Sequence, residues 1–297
     1  MARERIKETT GDRVFNFINY TVATLVLLII AYPVWVVIIS SFSDPNALMS
    51  GKVWITPVGF NLDGYAAILR DERIWTGLTN SLIYTVFGTL VNMIVTVLAA
   101  YPLSRKDFTL RGPISLIFAF TMWFSGGLIP TFLLVQELGL FNTRLAMILP
   151  TAMSVWNMII LRTYFQSNVG GELLEAAKID GCDDFQYLWK IALPLSKPSL
   201  AVICLYYLVA NWNTFMNAYL YLTDESLYPI QVVLRDILLL GSSASSSSSA
   251  MQEGKAVITN ELIKYSVVIA ASLPMIIIYP FIQKFFVKGI MVGSVKG

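Results

Sequence analysis

Apolar runs long enough to cross a bilayer constrain this chain more than any other feature. A hydrocarbon core about 30 Å thick takes about 20 residues of helix to span. Six segments meet that length, at residues 15–42, 78–103, 113–135, 145–165, 200–222 and 262–286. Hydrophobic residues make up 56% of the chain and charged residues 13%, against about 45–50% and about 25% in ordinary globular proteins. A soluble core of this size is not so apolar, so the expected fold is an all-α integral membrane protein with six transmembrane helices. The first run is too long for the apolar region of a secretory signal and lacks an A-x-A-like cleavage site.

Six spans put both termini on one side, and positive charge says which. With the termini inside, 14 of the 21 Lys and Arg residues fall on the inner side, Arg105, Lys106, Arg111, Arg162 and Lys178 among them. Seven, including Arg144 and Arg235, fall outside. That bias predicts cytoplasmic termini. The chain then divides into an inner N-terminus (1–14), a six-span domain (15–287) and an inner tail (288–297). An inner loop at 166–198 separates the fourth and fifth spans, and the long outer loops are 43–76 and 223–261. Pro45, Gly51, Pro57, Gly59 and Gly64 supply turn signals in the first outer loop. The second contains the helical-looking YPIQVVLRDILLL and then a low-complexity serine tract, 242–249, which reads as a flexible loop.

The span interiors carry no Asp, Glu, Lys or Arg, residues that mark proton relays and ion sites in secondary transporters. Nothing matches G-x-x-x-x-G-K-[ST], so a pump built on this chain draws its energy from a partner. There is no histidine, which removes the commonest metal ligand and general base; neither a metal site nor an enzyme is expected. Cys182 and Cys204 lie on opposite sides of a membrane boundary, which argues against a disulfide. The spans do hold Asn92, Trp123, Asn157, Asn211, Trp212, Asn213, Asn217 and Tyr219. Asn213 and Asn217 are four apart and would share a helix face. Two readings stand: interhelical hydrogen bonding in lipid, or a pathway in which Trp123, Asn157, Asn213, Asn217 and Tyr219 meet a hydroxylated solute.

The polar stretch at 172–198 interrupts this apolar pattern. Glu, Leu, Ala and Lys in its first part are good helix formers, and Gly181 suits the left-handed position that stops a helix. Asp183 reads as an N-cap, with Gln186 completing a capping box. A second helix would present Phe185, Leu188, Trp189 and Ala192 on one face, ended by Pro194 and Pro198. Ala176 and Ala177 would allow another surface to approach closely. By itself the pattern also fits an amphipathic helix resting on the bilayer.

The spacing decides between these. EAA, three residues, G, nine residues and I-x-LP are filled by Glu175-Ala176-Ala177, Gly181, Ile191, Leu193 and Pro194. This resembles the EAA loop of binding-protein-dependent ABC importer permeases. The resemblance implies a type I ABC importer permease fold in the bacterial cytoplasmic (inner) membrane. It implies that the loop's short helix docks in a cleft of an ATPase subunit, with Glu175, Ala176, Ala177, Ile179, Asp180 and Gly181 as the coupling contact. The C-terminus, KGIMVGSVKG, is similar to the tail of MalG-type carbohydrate permeases. Gly289, Gly293, Val295, Lys296 and Gly297 fit that tail, which in the family reaches the ATPase dimer interface. NLDGYAAIL and LTNSL, within 61–82, are similar to the same group, and TMWFSGGLIPTFLL and LRDILL resemble its LplC-like members. Those include permeases for acidic oligosaccharides such as alginate and pectin fragments.

The implied partners are a second, homologous permease, two ATPase subunits that carry ATP and Mg, a solute-binding protein and an oligosaccharide. The resemblance implies no cofactor in this chain and no nucleic-acid partner. A permease for amino acids or peptides is the nearer rival, disfavoured by the tail. A non-transporting scaffold or sensor is the other, disfavoured by the amides within several spans.

Overall fold

The computed structural model describes residues 9–243 and 262–280, and every regular element among them is helical. The chain divides into two compact units, residues 1–70 with 237–270 and residues 71–236 with 271–297.

The first unit begins with α1 (Thr10–Ser41), opened by a reciprocal capping box between Thr9 and Asp12. Apolar side chains point outward all round α1; Leu27, Ile29 and Ile30 are each more than 60% exposed. Such a helix has its backbone bonds satisfied internally and needs hydrocarbon, not water, around it. The segment that follows is ordered by its own hydrogen bonds. Asp44 caps α2 (Pro45–Met49) from the side chain. The backbone returns to pair Asp44 N with Val58 O and Asn61 N with Phe42 O. Ser41 and Tyr65 then join hydroxyls at 2.8 Å, fixing α3 (Asp63–Arg70) against the end of α1.

The second unit is organised on α4 (Glu72–Ser104), against which α7 (Val155–Asn168) and α11 (Lys197–Trp212) pack. Buried ties run between these helices. Asn211 Nδ2 donates to Asn92 Oδ1 (2.9 Å) and Thr89 Oγ1 (3.2 Å), and Asn92 Nδ2 donates to Thr151 O (2.6 Å). Thr96 and Tyr207 hydroxyls meet at 2.6 Å. Gly88 makes room: a Cβ there would lie 2.9 Å from the Asn211 amide. Of the two readings left open for the span amides, Asn92 and Asn211 follow the interhelical one. Toward the other end of α4, Asn80 donates to Ser226 O and Tyr228 O, Tyr84 to Leu227 O, and Ser81 Oγ accepts from Ile230 N. These bonds staple the segment leading into α13 (Ile230–Ser243) onto α4.

Three described helices are long and apolar enough to cross a membrane: α1, α4 and α14 (Leu262–Pro280). The other expected spans differ from continuous helices, each for a local reason. The third is two pieces, α5 (Arg111–Trp123) and α6 (Leu128–Glu137), bent by 115° across Phe124–Gly127, where Gly127 takes φ +87°. The fourth is cut short. A 3₁₀ turn at Arg144–Met147 precedes Pro150, which disfavours helix in the residue before it, and α7 starts afresh at Ser154. Its 14 residues rise about 21 Å at 1.5 Å each. The fifth ends at Asn213, whose side-chain amide donates to Val209 O at 2.8 Å and competes with helix continuation. α12 (Met216–Tyr221) follows as a separate piece. Asn213 and Asn217 therefore do not share one helix face. The sixth is described as far as Pro280.

Candidate functional site

The loop after α7 begins with α8 (Gly171–Ile179). Its exit is fixed by backbone chemistry: Gly181 N donates to Lys178 O at 3.0 Å and Cys182 N to Ala177 O at 2.9 Å. That bond pair is a Schellman closure, which requires the left-handed residue that Gly181 supplies at φ +79°. Asp183 then caps α9 (Asp184–Tyr187), its Oδ1 accepting from Gln186 N at 2.7 Å. The expected capping box is present only as this half; Gln186 makes no return bond.

The second helix departs from the expected face. Leu188–Ala192 forms a π-turn before α10 (Leu193–Leu195). A widened turn accommodates Pro194, which has no N–H to donate and whose ring crowds the preceding turn. Helix continues past Pro194, and the chain turns by 83° into α11 at Ser196. The altered phase splits the predicted stripe. Leu188 and Ala192 are buried with Tyr187, whereas Phe185 and Trp189 are 66% and 59% exposed.

Packing divides the EAA motif as well. Ala177 is buried, in a core that includes Tyr101, Leu103, Phe165, Tyr187 and Leu188. Glu175, Ala176, Ile179 and Asp180 are exposed, Ile179 at 87%. Ile191 and Leu193 are partly buried against the same core, and Pro194 is exposed. The motif thus has an inner side that anchors it and an outer side that is free among the described residues.

What anchors it electrostatically was missed from sequence. Arg105, just past the end of α4, makes a bidentate pair with Asp107 (2.9 and 2.6 Å). Its Nη1 also donates to Asp184 Oδ1 (2.9 Å) and to Tyr101 Oη (2.8 Å). Lys178 of α8 reaches Asp107 at 3.5 Å. The guanidinium, 11% exposed, therefore joins the end of α4 directly to α9 through Asp184, as a planar fork can, and only Asp107, which it holds, reaches α8 through Lys178. The Arg105 guanidinium holds the Asp107 carboxyl well below the usual carboxylate range, and Asp107 in turn pushes Arg105 up. The one available signal was the Arg-Lys-Asp run directly after the second span.

The expected pathway residues are not gathered into one cluster. Trp123 is 85% exposed at the end of α5, Asn157 is buried in α7, Asn213 is exposed and Asn217 half-buried. Among the described residues no hydrogen bond or ring contact links these four with one another or with Tyr219. Tyr219 stacks on Phe215 at 5.8 Å and lies under Arg235, whose Cζ is 4.6 Å from its ring centre. The tail residues Gly289, Gly293, Val295, Lys296 and Gly297 fall outside the described residues, as does most of the serine tract.

Residues 93–292 match the family described as "Binding-protein-dependent transport system inner membrane component". The chain is 44% identical over 286 residues to the polygalacturonan/rhamnogalacturonan transport system permease protein YtcP of Bacillus subtilis, covering 96% of this chain and 99% of that one. It is 39% identical to protein LplC of the same organism, over 97% of each chain. Among solved structures, a bacterial ABC transporter involved in the import of the acidic polysaccharide alginate superposes with a TM-score of 0.85 at 32% identity. That match covers 95% of this chain and 100% of the other.

Proposed function

The chain belongs to the family of binding-protein-dependent transport system inner membrane components, and from that membership we propose that it carries acidic oligosaccharides, pectin- or alginate-derived, through an ATP-driven importer. It is a permease subunit of a carbohydrate ABC importer. A second permease completes the pathway, an external binding protein delivers the sugar, and two ATPase subunits bind ATP with Mg and perform the hydrolysis. The names of the relatives support a uronate-rich sugar and give no support to an amino acid or peptide.

The observation that carries the coupling part is the two-sided EAA helix. Glu175, Ala176, Ile179 and Asp180 are exposed, while Ala177 in the core and the Lys178–Asp107–Arg105 chain of ion pairs fasten the same helix to α4. A push on the outer face moves α8 against the clamp. α4 then carries the displacement along its 33 residues, about 50 Å at 1.5 Å each, to the segment held by Asn80, Ser81 and Tyr84. The transporter is thereby a two-state element biased by nucleotide on one side and loaded binding protein on the other.

The test is ATPase activity of the reconstituted complex with its binding protein, loaded in turn with oligogalacturonides, alginate oligomers, neutral oligosaccharides and peptides. Stimulation by an acidic oligosaccharide alone is the expected result. Stimulation by a peptide, or by neutral sugars only, contradicts the cargo assigned.

A further inference from the structure

A uronate-rich cargo carries carboxylates, and no Lys or Arg lies within the span interiors to meet them. The countercharge has to sit at the ends of the spans. At the end of α4 away from the EAA loop, Asn80, Ser81 and Tyr84 hold the segment that enters α13, and Arg235 lies on α13 just beyond it. Phe215 and Tyr219 set their rings near-parallel there, 16° apart with centres 5.8 Å from each other. The Arg235 guanidinium lies over both, its Cζ 4.6 Å from the Tyr219 centre and 5.9 Å from that of Phe215. Two rings under one cation hold it by its face. The N–H donors of a guanidinium lie in its plane, so stacking leaves them available.

Those donors are scarcely used. Among the described residues the guanidinium donates only to its neighbour Asp236, at 3.3 Å, and the two side chains are 37% and 40% exposed. An exposed pair of this kind is worth little. Asp236 also lies in the field of Arg73, so a second carboxylate can take the fork without stranding it. A guanidinium held flat on a platform is pre-organised for bidentate carboxylate binding. Charges this exposed do not face hydrocarbon, and Tyr219 beneath is itself 53% exposed; this face meets water or another subunit. We propose that Arg235, stacked on Phe215 and Tyr219, binds a carboxylate of the uronate cargo and selects it over a neutral sugar. This role rests on the acidic-cargo reading above and adds the residue that reads the charge.

Uptake into proteoliposomes is measured with the assembled transporter and saturating binding protein, loaded with an oligogalacturonide or an alginate oligomer, each as the free acid or the methyl ester. The binding protein's own preference cancels in the ratio of variant to wild type. Arg235→Gln should lower uptake of the acid about tenfold, as loss of a charge-assisted pair does, and leave the ester within about twofold. Arg235→Lys keeps the charge without the fork and should fall between. Unchanged uptake of the acid in the Gln variant overturns the proposal. So does an equal fall for acid and ester, which would make Arg235 a structural residue. On wild type alone, a diazirine-bearing oligogalacturonide trapped with vanadate should label peptides 213–219 or 230–236; labelling that omits both also overturns it. Wild type that carries neither acid refutes the cargo, and Arg235's role with it. Wild type that carries one, with the Gln variant unchanged, refutes the role of Arg235 alone.

Discussion

Arg105 joins Asp107, Asp184 and Tyr101 at once, so replacing it changes the position of the whole inner loop. Both carboxylates are more than half exposed (53% and 65%) and can be hydrated when abandoned. Arg105→Gln is therefore expected to cost only about 1 kcal/mol of stability, since screening discounts exposed pairs. Assembly with the ATPase should persist while binding-protein-stimulated hydrolysis falls about tenfold; the two are separated by co-purification and ATPase assay. The pH dependence has a definite sign. Asp107 is depressed in the folded protein, first by its hydrogen bonds from Arg105, so its contribution is full above its unfolded value and lost only as pH falls through the lower, folded one. The difference in stimulated hydrolysis between wild type and Asp107→Asn should therefore stay constant from about pH 8 to about pH 5. A difference that fades across that range contradicts the clamp. The sequence shows Arg105 only as an inner positive charge, because Asp184, 79 positions away, becomes its partner only when the loop folds back.

At the scale of elements, the exit of α8 was legible because its determinants are local: a good helix former run, then Gly181, then Asp183. Gly181→Ala meets no neighbouring atom, so its cost is backbone strain alone, about 1–2 kcal/mol for a left-handed Ala. Thermal unfolding of the complex should register that loss, and Gly181→Asn should recover part of it. The broken spans were not legible from hydropathy, which sums over a window and is blind to a single Asn213 or to Gly127. The split of the second helix's stripe has the same origin: a π-turn before Pro194 shifts phase without changing composition. Asn92 and Asn211 needed a partner helix to decide between tie and pathway. With Gly88 holding the helices close, they are ties. Asn92→Leu strands Thr151 O and leaves the Asn211 amide only Thr89 as acceptor, and should destabilise by about 1–3 kcal/mol, read by the same thermal assay.

In the whole permease, α4 links the EAA loop, proposed to meet the ATPase, to a segment fixed at its other end by Asn80, Ser81 and Tyr84. The membrane class and the helix, glycine turn and capped second helix of the EAA loop were readable in the sequence; the link was not, since it rests on bonds between residues more than 140 positions apart. In the proposed mechanism α8 presents one face to the ATPase and keeps the other for α4. Cysteine cross-linking tests this directly, with Cys182→Ala and Cys204→Ala as background. Single cysteines are placed at Ala176, Ala177 and Ile179 in turn, against a cysteine scan of the ATPase cleft. Cross-links from Ala176→Cys and Ile179→Cys that change yield on adding ATP, with none from Ala177→Cys, are the predicted result. Cross-links from Ala177→Cys with none from Ile179→Cys contradict the account.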